Sequence, residues 1–90
     1  MFFVKGTMTE EKKIQTVGEK VGARYKTFFD NNLQRLHAAW VAYIQVNGEM
    51  LPIYDPNTIS GQVESPSRYK ALKIAKITRD DLQARLATTH

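Results

Sequence analysis

Ninety residues with nine aromatics and 42% apolar side chains suit one small folded domain rather than a disordered chain. At this length only about 60 to 65% of the unfolded surface can be buried, so the core is thin and a deep substrate cavity is not expected. The absence of cysteine excludes disulfides and thiolate metal sites and points to a reducing cytoplasm, and thirteen Lys and Arg against nine Asp and Glu favour polyanions without requiring them.

The N-terminal Met1-Phe2-Phe3-Val4 is apolar for four residues before Lys5, too short for a signal-peptide core or a membrane span. No other apolar run approaches spanning length, so neither a leader nor membrane insertion is expected. Residues 1–7 read as a short strand or a disordered lead into the first element. Thr7 with Glu10 three residues later is a capping-box pattern, and Glu10-Glu11 suit the positive end of a helix dipole. Ile14, Val17, Val21, Tyr25 and Phe28 follow at spacings of three and four, one apolar stripe at 100° per residue, and predict a long N-terminal helix. Gly18 and Gly22 each cost such a helix about 1 kcal/mol and leave room for a close neighbouring backbone. Asp30-Asn31-Asn32 marks a break, yet Leu33, Leu36 and Trp40 keep a helical spacing, so the sequence admits one kinked helix or two.

From Trp40 to Val46 the chain is rich in β-branched and aromatic residues and runs into Asn47-Gly48, the strongest short-range hairpin signal. A two-residue turn there pairs Val46 with Glu49, Gln45 with Met50, Ile44 with Leu51, Ala42 with Ile53 and Val41 with Tyr54. Pro52 would confine the second strand to an edge. The competing reading is a helix from Leu33 to Val46 stopped at Gly48. Residues 55–65 carry Asp-Pro-Asn and Ser-Gly and are expected to form a flexible loop. Ser65-Pro66 resembles a cap followed by proline at the first helical position, so residues 66–76 suit a helix, although Leu72-Lys73-Ile74 also suits a strand. Thr78 and Asp81 then cap a short C-terminal helix carrying Leu82 and Leu86. Two such helices separated at Ile77-Thr78 resemble a helix-turn-helix, with Lys76 standing where that motif has glycine. The layout expected is therefore α+β: a long N-terminal helix broken near Asn31, a central hairpin and a short C-terminal helix, with an all-α bundle as alternative.

No constellation for catalysis emerges. His37 lies in an apolar neighbourhood with no nucleophile motif nearby, which suits a boundary residue, and His90 is the last residue. Glu10, Glu11, Asp80 and Asp81 are explained by helix starts, and the remaining acids lack metal-ligand spacing. No cofactor or metal site is expected, and the chain is expected not to be an enzyme.

What remains is surface. Phe28, Phe29, Trp40 and Tyr43 could present an aromatic interface, which leads to the expectation of a protein-binding module (an adaptor, inhibitor or assembly subunit) whose partner is a second copy or a foreign chain. The alternative is nucleic-acid contact through two basic arrays. Lys13, Lys20 and Arg24 fall within about 40° of one another on the expected first helix, where their stems would equally cover the buried stripe. Arg68, Lys70, Lys73, Lys76 and Arg79 place five basic residues within twelve, with no acid among them.

Overall fold

The computed structural model describes Phe3–Val4 and residues 14–88. Among the described residues five strands and one helix succeed one another: β1 (Phe3–Val4), β2 (Val17–Asp30), β3 (Arg35–Val46), β4 (Glu49–Tyr54), β5 (Glu64–Ser65) and α1 (Arg68–Thr88). The sheet is antiparallel in the order β1-β4-β3-β2, with β5 on β3 beside β4. The helix lies across one face.

The long N-terminal helix does not form. Its residues build β2, which pairs with β3 from Val21↔Ile44 to Asp30↔Arg35. The all-α alternative falls with it. Val21, Ala23, Tyr25, Thr27 and Phe29 alternate with period two on one face, while Phe28, part of the supposed stripe, points to the other. Val17, Val21, Tyr25, Thr27, Phe28 and Phe29 are β-branched or aromatic, and two glycines weaken a helix, so pairing with β3 prevails over a helical spacing. The capping box at Thr7 and Glu10 lies outside the described residues. The break at Asp30-Asn31-Asn32 is a hairpin loop: the buried Asp30 carboxylate accepts the N–H groups of Asn32 (3.0 Å) and Leu33 (3.3 Å), and Gln34 closes the loop at φ 52°.

Asn47 (φ 51°) and Gly48 (φ 86°) make the two-residue turn between β3 and β4, and Val46↔Glu49, Gln45↔Met50 and Ile44↔Leu51 stand opposite one another. Pairing ends at Tyr43↔Pro52, because proline has no N–H to continue the ladder. The expected pairs Ala42–Ile53 and Val41–Tyr54 are therefore not made. Instead Val63 inserts between the strands: its carbonyl accepts the Ala42 N–H (3.1 Å), and its own N–H donates to the Ile53 carbonyl (2.8 Å). Val41 pairs with Glu64 in β5.

The C-terminal segment is one 21-residue helix rather than a short one or a two-helix tail. Thr78 is buried within it, so no helix-turn-helix arises. Ser67, not Ser65, is the cap: its hydroxyl accepts the Lys70 N–H (3.4 Å), and its carbonyl accepts the Ala71 N–H (3.1 Å). Ala71, Ala75, Thr78 and Leu82, at i, i+4, i+7 and i+11, face the sheet. The two buried alanines bring the helix close to Ala42, Ile44, Val46, Ile53 and Val63, and this cluster is the core. At the far end, the Gln83 side-chain amide donates to the Val17 carbonyl (3.1 Å), and Arg79 donates to the Glu19 carbonyl (2.8 Å), fastening the start of β2 beneath the helix. No helix among the described residues is long and apolar enough to cross a membrane.

Candidate binding surface

β2 and β3 outrun the rest of the sheet. On its second edge β3 meets β4 only from Tyr43 to Val46 and β5 only at Trp40 and Val41. Beyond that, the pairs from Lys26↔Ala39 to Asp30↔Arg35 form a two-stranded ribbon, projecting roughly 15 to 20 Å at 3.4 Å per residue. The described residues accordingly span 47 × 28 × 20 Å.

The two faces of the ribbon differ in chemistry. The helix-side face continues Val21, Ala23, Ala42 and Ile44 outward through Tyr25–Trp40, Thr27–Ala38 and Phe29–Leu36. Past the helix these side chains have no cover among the described residues: Tyr25 is 62%, Phe29 53% and Leu36 71% exposed, with Leu33 at the tip 57% exposed. None of them is charged. Together they leave on the order of 500 Å² of surface, at the upper end of what a lone monomer carries as one patch. Trp40 is half-buried at the base, its ring edge-on to Tyr25 with centroids 5.3 Å apart.

The opposite face holds the cations. Arg24 and Lys26 lie over the Tyr43 ring at 4.8 and 5.1 Å from its centroid, Phe28 stacks on His37 at 6.4 Å, and Arg35 is exposed near the tip. His37 Nε2 donates to the Glu64 carboxylate at 2.7 Å, and Glu64 also accepts the Ser60 N–H at 3.0 Å. This clasp ties the loop after β4 to the cationic face of the ribbon at its middle pair, Phe28↔His37. Burial alone would push the Glu64 carboxyl up. Hydrogen bonds from Ser60 and His37, together with the histidine's charge, outweigh that and hold it below its ordinary value of 4.5. Ser60 bonds to Glu64 and not to the imidazole, so the three residues do not form a nucleophile, base and acid in series. Among the described residues no three His, Cys, Asp or Glu side chains could share a metal ion.

The four aromatics singled out from sequence are thus dispersed. Phe29 lies exposed on the uncharged face, Trp40 sits half-buried at its base, Phe28 occupies the cationic face, and Tyr43, 4% exposed, is packed beneath Arg24 and Lys26. Tyr25 and Leu36 belong to the patch but escaped the sequence reading, because only their strand alternation reveals them. The basic arrays lie on different layers. Arg24 is behind the sheet and Lys20 is exposed on the same strand, whereas Arg68, Lys70, Lys73 and Lys76 are exposed on the helix in front; Lys13 lies outside the described residues. The helical alignment of Lys13, Lys20 and Arg24 does not exist, since residues 17–30 are a strand. Arg79 turns inward to Glu19 and Asp80. Comparison of the chain with protein-family models, with curated proteins and with solved structures finds no match.

Proposed function

We propose that the protein is a non-enzymatic protein-binding module whose docking surface is the uncharged face of the β2–β3 ribbon. One observation carries this: a hairpin extends past its own sheet and helix and holds a continuous uncharged row, Tyr25, Thr27, Phe29, Leu36 and Ala38, open to solvent. An isolated two-stranded ribbon is marginal in water, and large exposed side chains on it are stabilised when another surface covers them. The cations lie on the opposite face of the ribbon, so they are not the source of affinity. With no cysteine to require an oxidising compartment, the module acts in the reducing cytoplasm.

A photo-reactive benzoylphenylalanine in place of Phe29, set against the same group in place of Ile77 on the outer helix face, tests the reading in cells. Protein adducts at position 29 and none at 77 are expected. No adduct at 29 removes the docking surface. The exposed row of Lys70, Lys73 and Lys76 supports a second reading, contact with nucleic-acid phosphates. Its signature is binding of labelled DNA or RNA at low salt that weakens steeply as salt rises and disappears when the three lysines become glutamine. Absence of binding at low salt eliminates it.

A further inference from the structure

We infer that the occupant of the ribbon face is a second copy of this chain, the two ribbons packing face to face and antiparallel about a two-fold axis; the inference rests on the docking surface proposed above. The profile of the face is the first argument. From base to tip it alternates bulky, small, bulky: Tyr25 with Trp40, Thr27 with Ala38, Phe29 with Leu36, then Leu33 at the loop. Set against its own copy in the opposite sense, the Phe29–Leu36 ridge of each chain fills the Thr27–Ala38 valley of the other. Leu33 of each then comes to rest over Tyr25 and Trp40 of its mate. Every large exposed side chain of the ribbon is covered by one operation, as an isologous interface requires.

Charge is the second argument. Two copies of a chain with net charge +4 repel, so a self-docking face must keep its cations away from the contact. The face carries none, and Arg24 and Lys26 are held on the other side over Tyr43. Area is the third. A patch on the order of 500 Å² buried on each chain gives a total of about 1,000 Å², the least that a biological interface buries and the range of weak, reversible association.

Sedimentation of the purified full-length chain at about 100 μM, a concentration that populates even a micromolar dimer, should give twice the 10.3 kDa of one chain. Leu36→Glu should halve that mass with an unchanged circular dichroism spectrum, since Leu36 is already solvated in the single chain. Ala84→Glu, on the exposed side of α1, should leave the dimer intact. A wild-type chain that stays at 10.3 kDa, or a dimer that survives Leu36→Glu, overturns the inference. The photo-reactive group at position 29 separates the two ideas. A monomer whose adducts contain a different protein leaves the docking surface standing without the second copy, whereas a monomer with no adduct removes both.

Discussion

Ile44→Ala and Ile77→Ala delete the same three carbons from opposite environments. Ile44 is wholly buried where β3 meets Val21, Leu51 and the alanine face of α1, while Ile77 is 60% exposed on the outer side of that helix. At about 0.8 kcal/mol per buried methylene, with a further term for a cavity that the sheet cannot close, Ile44→Ala should cost about 3 to 4 kcal/mol. Ile77→Ala loses little burial and gains up to about 0.5 kcal/mol of helix propensity, so it should stay within about 0.5 kcal/mol of wild type. For a domain of this size the first change lowers Tm by about 15 to 25 °C and the second by a few degrees at most. Trp40, the only tryptophan, provides the fluorescence signal for urea unfolding at one fixed protein concentration. The slope should be unchanged and only the midpoint should move. Equal costs for the two variants would refute the packing of α1 through Ala71 and Ala75, and with it the claim that the helix covers the body of the sheet but not the ribbon.

Acid should weaken the fold through Glu64: its folded value is depressed, so between that value and 4.5 the unfolded chain binds more protons, and stability is complete above 4.5 and lost as pH falls through the folded value. Glu64→Gln should flatten the low-pH limb of a stability profile taken over about pH 3 to 6, and parallel profiles for the two chains would dismiss the clasp. Gly22→Ala should be neutral or stabilising by up to about 1 kcal/mol, because its Cβ would make ordinary contacts with Met50 Cε at 3.4 Å and Tyr43 Cβ at 3.9 Å. Gly18→Ala should come out less stable than Gly22→Ala, since its Cβ would press the end of the Gln45 side chain, whose Cδ stands at 2.6 Å, and that flexible amide has to swing aside at small cost; equal thermal shifts for the two would count against the strand register. Gln62 Oε1 is buried without a partner among the described residues, so Gln62→Met should hold or raise stability by about 1 kcal/mol in urea unfolding, and a clear loss would mean that the oxygen is satisfied.

Local chemistry was legible in the sequence. Asn47-Gly48 dictates a two-residue turn because both positions need φ above zero, and the turn fixes the register of its neighbours as far as Pro52, which then ends the ladder for its own local reason. Asp30-Asn31-Asn32 likewise announced a break. Residues 17–30 were a different case, since they satisfy a helical spacing through Val17, Val21, Tyr25 and Phe28 and an alternating one through Val21, Ala23, Tyr25, Thr27 and Phe29. Only β3, which supplies a partner for every residue from Val21 to Asp30, decides between them. The candidate surface was hidden for the same reason. Leu36 is open because the helix and β5 end short of it along β3, and Tyr43 is buried because Arg24 and Lys26 of the paired strand lie over its ring; neither outcome is encoded by neighbouring residues. By itself the sequence determined the turns, the cationic excess and the lack of cysteine chemistry. Tertiary structure alone decided that the first long segment is a strand and that its end stands free of cover, because strand pairing and burial are properties of two segments at once.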